Sequence, residues 1–235
     1  MKTYLVDAFT EKAFGGNPAV VCFLEYPKTD VWMQSIAKEM NVSETAFLIR
    51  QGDGYNLRWF TPMVEVELCG HATLASAFVL FQTGWAKTDQ SVRFYTKSGI
   101  LGAAWANEWI SLDFPATPAK DAILPEGLVS ALGVEPEYTG KTQFDFLIEV
   151  RSEEVVRGLK PDFGALAKVP RRGVIVTSRS DSPEADFVSR FFCPRLGINE
   201  DPVTGSAHCC LGPYWAKKLN RTEFVAHQAS DRGGV

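Results

Sequence analysis

Two segments that begin with glycine carry the first chemical signal in this sequence. Gly70–Ala72 and Gly205–Ala207 each open a run of small and apolar residues, a pattern typical of a helix that is buried on all sides. A helix N-terminus attracts anions through unpaired N–H groups and a partial positive charge, and glycine lets a ligand approach the backbone closely. Two such ends facing one another across a domain cleft would hold a carboxylate-bearing substrate. The plainer alternative is that Gly70 and Gly205 only form tight turns, but the repetition of the feature favours anion binding.

Glu44 is a candidate for proton transfer. It lies in the segment Ser43–Leu48, between a predicted helix and a predicted apolar strand. A carboxylate that is partly desolvated in such a place would have a raised pKa, which suits proton transfer near neutral pH. Exposed glutamates are the rule in proteins, however, so composition alone favours a solvated loop residue.

Two further titratable residues lie beside the glycine-started helices. His71 falls in the first turn of its helix, where the positive helix end disfavours an imidazolium and favours a neutral, hydrogen-bonding imidazole. Asp201 lies four positions before Gly205. It either caps the second helix or hydrogen-bonds a substrate hydroxyl or amine, and the spacing does not decide between these roles.

Metal and nucleotide sites are only weakly indicated. The closest candidate ligands are Cys69 with His71 and the run His208–Cys210, but the sequence has no CxxC pair and no HExxH motif. Cys209 and Cys210 lie in an apolar helix and are more typical of a core. The glycine-rich loops that bind dinucleotides or ATP are absent, as is the GxSxG motif. The sequence therefore predicts neither a metal nor an organic cofactor.

Short strands and a few helices are predicted to position these residues. Hydrophobic periodicity predicts strands over 4–9, 19–24, 45–50, 55–61, 91–96, 100–104, 109–114, 144–150, 174–178 and 187–193, and helices over 30–40, 70–81, 126–132 and 205–219. The two prolines in Phe114–Pro118 follow a strand and indicate a linker. We therefore expect a first domain over 1–114 and a second over 115–235.

The two halves of the sequence are similar. Arg58–Pro62 (RWFTP) matches Arg190–Pro194 (RFFCP), and each is followed within about a dozen residues by one of the glycine-started helices. The two pairs of segments are offset by 132 and 135 residues. An offset of this size is too long for a solenoid repeat and indicates a duplicated domain.

Composition limits the class of protein. The 235 residues include 24 basic and 28 acidic side chains, giving a net charge of −4, and 46% are hydrophobic. This profile excludes intrinsic disorder, and the acidic balance argues against nucleic acid as a partner. No apolar run is long enough for a membrane span, and the start shows no signal peptide. Five cysteines without framework spacing suit a reducing compartment, so we expect a cytoplasmic protein.

Six motifs, in this order along the chain, resemble those of the phenazine-biosynthesis-like (PhzF-like) family, whose fold is shared with diaminopimelate epimerase. The motifs are Val6–Thr10 (VDAFT), Phe14–Ala19 (FGGNPA), Ser43–Phe47 (SETAF), Arg58–Pro62 (RWFTP), Cys69–Thr73 (CGHAT) and Glu200–His208 (EDPVTGSAH). Together they span most of the chain and are specific for the family, but much less so for a substrate.

The resemblance implies an α+β protein with two similar domains. Each is expected to be a β-barrel-like roll around a central helix, with the active site in the cleft between the domains. Family members continue beyond the Arg232–Gly234 segment with more strands, so the second barrel is expected to lack its terminal strands in this chain.

The resemblance also implies roles for the candidate residues. Glu44 becomes the proton-transferring residue, in contrast to the expectation from composition, and His71 and Asp201 position and polarise the substrate. The predicted substrate-binding residues are Asn17, Gly70, Gly205 and Ser206.

One difference from the racemase relatives of this family bears on the reaction. Those enzymes use two cysteines, one at each helix start, whereas here Cys69 precedes the first helix-start glycine and Thr204 precedes the second. A threonine hydroxyl is too weak an acid for this role, which favours a reaction with a single proton carrier.

We therefore expect an isomerase that works without a metal or organic cofactor and moves a proton within a small carboxylate-bearing substrate. We expect a homodimer that binds neither nucleic acid nor membranes. Two alternatives stay open: a two-base amino-acid racemase or epimerase, and a catalytically silent binding protein on the same scaffold.

Overall fold

The computed structural model describes residues 1–235, which divide into two compact units. The first unit comprises Met1–Ala8 and Asn17–Phe114, and the second comprises Phe9–Gly16 and Pro115–Val235. The break between residues 114 and 115 lies at the start of the predicted linker, Phe114–Pro118. The sequence analysis placed residues 9–16 in the first domain, but in the structure this segment packs with the second unit.

Long-range hydrogen bonds explain the placement of Phe9–Gly16. The backbone N–H of Gly16 donates to the carbonyl of Gly233 (2.9 Å), and the Arg232 guanidinium donates to the carbonyls of Gly15 and Gly16, each at 2.9 Å. These partners are more than 200 residues apart in the sequence, so no local sequence pattern predicts the contact.

The first unit is an eight-stranded sheet with two helices. Its elements are β1 (Lys2–Ala8), β2 (Asn17–Leu24), α1 (Asp30–Met40), β3 (Glu44–Gln51), β4 (Gly54–Phe60), β5 (Glu65–Val66), α2 (Gly70–Gln82), β6 (Val92–Thr96), β7 (Gly99–Ala106) and β8 (Trp109–Asp113). The strand order is β1-β2-β3-β4-β6-β7-β8, with β5 beside β4. Helix α2 packs against both β1 and β8, the two edges of this order, so the sheet is curled around the helix.

Alternation along the strands fixes the two faces of this sheet. In β2, Ala19 and Val21 belong to the core around α2, while Val20 and Cys22 pack against α1 on the other face. Helix α2 is almost entirely buried, as its apolar sequence predicts.

The second unit is a seven-stranded sheet with four helices. Its elements are β9 (Lys120–Asp121), α3 (Leu128–Leu132), β10 (Tyr138–Lys141), β11 (Asp145–Glu149), α4 (Glu153–Gly158), α5 (Phe163–Leu166), β12 (Gly173–Arg179), β13 (Phe187–Cys193), β14 (Ile198–Asp201), α6 (Gly205–Leu219) and β15 (Ala226–Gln228). The strand order is β14-β13-β12-β11-β10-β9, with β15 beside β13. Ile175 of β12 packs toward α6, whereas its neighbours Val174 and Val176 pack toward α3, α4 and α5.

The two units repeat one topology. In the first, β2 and β3 are parallel, β4 is antiparallel to β3, and the short β5 leads into α2. In the second, β11 and β12 are parallel, β13 is antiparallel to β12, and the short β14 leads into α6. The strand that follows each long helix, β6 or β15, then pairs in parallel with β4 or β13.

A matched ion pair marks the repeat at the level of side chains. Arg58 of β4 forms two hydrogen bonds with the Glu65 carboxylate, each 2.7 Å long. Arg190 of β13 does the same with Glu200, at 2.7 and 2.6 Å. The arginines of the RWFTP and RFFCP segments thus tie each central strand to the short strand before its long helix.

Candidate active site

The first group of predicted site residues meets at one edge of the first sheet. Asn17 is the first residue of β2 and Glu44 the first residue of β3, and because these strands are parallel, their first residues lie at the same edge. Helix α2 packs on both strands and places His71, its second residue, beside them. The structure therefore brings together three residues that the sequence separates by up to 54 positions.

His71 lies between Asn17 and Glu44. Its Nε2 atom is 3.2 Å from Glu44 Oε2, and its Nδ1 atom is 3.2 Å from Asn17 Nδ2. The side chains of His71 and Glu44 are 3% and 12% exposed, so the contact is shielded from water. Glu44 is thus neither the fully solvated loop residue that composition favoured nor fully buried.

Burial keeps His71 neutral. It lowers the pKa of the imidazole to about 3, so the ring carries one proton at physiological pH. With the Asn17 amide donating to Nδ1, that proton resides on Nε2, on the side of Glu44. The neutral imidazole predicted from the helix N-terminus agrees with this environment, although burial is the dominant cause.

Cys69 also contacts the imidazole of His71. Its Sγ atom is 3.5 Å from His71 Nδ1. Glu44, Cys69 and His71 each offer a ligand atom, all within 4.8 Å of one another, and are the residues best placed to hold a metal ion. However, the thiol contacts Nδ1 and the carboxylate contacts Nε2, whereas a single ion bonds one ring nitrogen. The thiol and the carboxylate thus approach different nitrogens of one imidazole.

The second group of predicted site residues lies in the second unit, at the start of α6. Asp201 ends β14 and is 6% exposed, and its Oδ2 atom accepts a 2.5 Å hydrogen bond from the hydroxyl of Thr204, the residue that precedes the helix. The buried Gln228 side chain accepts from the backbone N–H of Thr204 and donates to its hydroxyl and to the Asp201 carbonyl. Asp201 therefore holds the capping residue in place.

Ser206 follows Gly205 in the first turn of α6. Its Oγ atom accepts a 3.0 Å hydrogen bond from Nη1 of Arg172, whose other guanidinium nitrogens bind the Asp145 carboxylate. Ser206 and Asp145 are both buried, at 6% and 2% exposure.

The starts of α2 and α6 lack the caps that other helices have. Helices α1, α4 and α5 each have a side-chain cap. The capping oxygens, which accept hydrogen bonds from first-turn N–H groups, belong to Thr29, Ser152 and Asp162. Helices α2 and α6, like the five-residue α3, have no side-chain cap, and neither has an acidic residue in its first turn. Backbone donors beside Gly70 and Gly205 are thus available to an anion.

Sequence reasoning missed Arg172 and Gln228. Gln228 lies in the three-residue strand β15, and Arg172 precedes β12, so neither has a periodic or motif signal. In the structure the neighbouring Gly173 is tightly packed, since a Cβ atom there would lie 2.3 Å from Phe191 Cζ.

Comparisons with known proteins agree with this architecture. The sequence profile of the PhzC-PhzF family, described as phenazine biosynthesis-like protein, matches residues 6–235. An uncharacterized isomerase of Halalkalibacterium halodurans is 57% identical over 99% of this chain and 88% of its own length. The crystal structure of a PhzF family protein of Enterococcus faecalis has a TM-score of 0.90 and 46% identity, covering 99% of this chain and 88% of the other. The structure of a probable proline racemase of Agrobacterium radiobacter shares the fold, with a TM-score of 0.64 and 11% identity over 97% of this chain and 82% of that one.

The chain belongs to the phenazine biosynthesis-like family. The predicted α+β class, with two similar curled sheets each bearing a long helix, is confirmed. The enzyme class is that of an isomerase, and the name of the Halalkalibacterium halodurans relative specifies no substrate. None of the helices is both long and apolar enough to cross a membrane.

Proposed function

We propose that this protein is a cofactor-independent isomerase in which Glu44 moves a proton within a small carboxylate-bearing substrate. The observation that carries the proposal is the contact between Glu44 Oε2 and Nε2 of the neutral His71, 3.2 Å apart at the uncapped start of α2. A carboxylate placed beside a neutral hydrogen-bond donor can accept a proton from carbon and return it elsewhere on the same molecule.

The other residues of this group would orient the reaction. Asn17 holds the tautomer of His71 with the proton on Nε2, and His71 in turn orients Glu44 or polarises the substrate. Backbone N–H groups after Gly70 would bind the substrate carboxylate, because an anion is stabilised by unpaired donors and by the positive helix end.

Residues of the second unit would bind the substrate through α6. Gly205 and Ser206 offer a backbone donor and a hydroxyl at an uncapped helix start. Asp201 shapes this start through Thr204, and its carboxylate would also accept a hydrogen bond from a substrate hydroxyl or amine.

The contacts of Thr204 argue against the two-base racemase alternative. A second base or acid would be needed at this position, which precedes the helix-start glycine of α6 as Cys69 precedes that of α2. The Thr204 hydroxyl instead donates to Asp201 and accepts from Gln228, so its proton is already engaged.

Deuterium incorporation tests the proposal directly. A panel of small carboxylic acids would be incubated with the protein in deuterated water and analysed by mass spectrometry. We expect at least one acid to take up deuterium with the wild-type protein and not with Glu44→Gln. Binding without exchange for every acid would instead support the silent binding protein, and equal exchange by Glu44→Gln would remove Glu44 from its role.

We also propose a homodimer in the cytoplasm with no nucleic-acid or membrane partner. None of the five cysteines forms a disulfide, which suits a reducing compartment. Light scattering of the purified protein would test the dimer, and a monomeric mass at micromolar concentration would contradict it.

A further inference from the structure

The second unit contains a serine at the position that corresponds to His71 and an arginine next to the position that corresponds to Glu44. Glu44 and Gly173 are the first residues of β3 and β12, and each lies three positions before the residue that faces the paired arginine of the next strand. His71 and Ser206 are the second residues of α2 and α6. Arg172, one position before Gly173, reaches Ser206 as Glu44 reaches His71.

Arg172 is held from several sides. Its Nε and Nη2 atoms donate to the two oxygens of Asp145 at 2.9 and 2.5 Å, and its backbone N–H donates to the carbonyl of Phe144 at 2.9 Å. The guanidinium also lies over the rings of Phe144 and Phe191, 5.2 and 5.5 Å from their centroids. A planar group fixed in this way has little freedom to turn.

The third guanidinium nitrogen, Nη1, determines which hydrogen bonds Ser206 can form. Nη1 donates to Ser206 Oγ at 3.0 Å, which makes the oxygen an acceptor. The hydroxyl proton of Ser206 has no protein acceptor, although the residue is only 6% exposed. Ser206 is therefore set as a donor at an uncapped helix start, where an anion would lie.

The charge of Arg172 is already compensated. The Asp145 carboxylate accepts hydrogen bonds from Nε and Nη2 of Arg172, and its side chain is 3% exposed. The pair therefore has almost no net charge. Buried ion pairs of this kind contribute little net stability, because desolvation offsets their attraction. The pair is better explained by the direction that it gives to Nη1 than by its contribution to folding.

We propose that Arg172 is a positioning residue that fixes the Ser206 hydroxyl as a hydrogen-bond donor to an anionic group of the substrate. The inference rests on the proposed function in one respect: it takes Ser206 to contact the substrate. Arg172 itself does not touch the substrate.

A double-mutant cycle with simple anions tests this role without requiring turnover. The probes are oxalate, malonate and succinate, and their affinities are measured by calorimetry for the wild type, Ser206→Ala, Arg172→Met and the double variant. We expect the wild type to bind at least one probe, and each single change to weaken it about tenfold, the loss of one charge-assisted hydrogen bond. The double variant should bind no more weakly than Ser206→Ala alone.

Two controls separate positioning from folding. Arg172→Met leaves Asp145 buried without its partner, so the variant Asp145→Leu/Arg172→Met, which replaces both charges, must show the same loss of affinity in a folded protein. Arg190→Met/Glu200→Leu removes the other buried arginine–carboxylate pair of this unit, whose spare donor contacts backbone carbonyls of residues 156, 157 and 159. It should lower stability and leave probe affinity unchanged.

Three results would overturn the inference: no binding of any probe by the wild type, unchanged affinity in the Arg172 variants, or losses that add to about a hundredfold in the double variant. With an acid that the wild type isomerises, Arg172→Met should raise KM with a smaller effect on kcat, because Ser206 holds the substrate before and during proton transfer. The binding measurements do not depend on exchange, so failure of the proposed chemistry is distinguishable from failure of this role.

Discussion

His71 Nε2 lies 3.2 Å from Glu44 Oε2, and the imidazole that makes this contact is neutral. The pair therefore differs from an ion pair, in which a charged histidine would hold the carboxylate in its ionised form. A neutral imidazole beside the carboxylate weakens it as a base less than an imidazolium would. This relationship connects the predictions about the first unit.

Replacement of Glu44 by glutamine removes the proposed base while keeping its size. We expect solvent-deuterium exchange to fall at least ~10²-fold, since glutamine cannot accept the proton. Oxalate affinity should persist, because backbone N–H groups hold the anion. Wild-type activity should also fall as the pH is lowered and Glu44 becomes protonated. Exchange within a few-fold of wild type in a folded Glu44→Gln protein would end the hypothesis.

Asn17→Asp should reverse the tautomer of His71. An aspartate accepts a hydrogen bond from Nδ1–H, which leaves Nε2 without a proton facing the Glu44 carboxylate. We expect a loss of exchange of about tenfold or more, and the nitrogen chemical shifts of the His71 ring would report the change of protonated atom. Asn17→Ser retains a donor and serves as the control. An unchanged ring spectrum in Asn17→Asp would contradict the assigned hydrogen bond.

Cys69→Ser tests thiol and metal chemistry together. Serine keeps a donor near Nδ1 of His71 but lacks the acidity and metal affinity of a thiol. We expect most activity to remain, and a chelator to leave the wild-type activity unchanged. A loss of activity of ~10³-fold or more in a folded Cys69→Ser protein would favour a racemase. Inactivation of the wild type by the chelator would favour a metal centre formed with Glu44 and His71.

The buried histidine makes stability depend on pH. The pKa of His71 is lowered from 6.5 to about 3 in the folded protein, so between these values the unfolded chain binds more protons and stability falls as the pH decreases. Between pH 7 and pH 5 the free energy of unfolding should drop by about 2 kcal/mol from this residue. Urea unfolding at both values should show a smaller drop for His71→Gln than for His227→Gln, which changes a half-buried histidine. Equal drops would contradict the assignment.

Gly173→Ala tests the packing around Arg172. The added Cβ atom would lie 2.3 Å from Phe191 Cζ and 2.9 Å from the carbonyl oxygen of Phe192. We expect a loss of about 1–3 kcal/mol in unfolding free energy, since a backbone atom cannot move aside easily. Gly212→Ala in α6 is the matched control, because no atom lies within 4 Å of its Cβ position and alanine favours a helix. Similar stabilities of the two variants would argue against the tight contact.

Local sequence patterns predicted the long elements well. The bounds expected for α1, α6 and β13 coincide with those in the structure, and α2 differs by one residue at its end. These segments have strong apolar periodicity and clear terminal residues, such as Thr29, which caps α1. The sequence analysis missed the short strands β5, β9, β10, β14 and β15 and the short helices α4 and α5, because too few residues are present to show a period.

The candidate site was predicted from its motifs, but its contacts were not. The sequence indicated Asn17, Glu44 and His71 separately, and nothing in their spacing shows that one imidazole lies between the other two. The catalytic and substrate-binding roles of these residues stay predictions. The same holds for Asp201, Gly70, Gly205 and Ser206.

What the sequence by itself determined is the duplicated plan: two arginine-bearing strands, each followed by a glycine-started helix, and the identity of the family. These features are local, because periodicity, turns and motifs are encoded by neighbouring residues. Tertiary structure alone decided that Phe9–Gly16 joins the second unit, that Arg172 donates a hydrogen bond to Ser206, and that Gln228 accepts one from Thr204 at the start of α6. Each of these depends on hydrogen bonds between residues distant in the chain, whose partners are fixed by strand register and helix packing and leave no local pattern in the sequence.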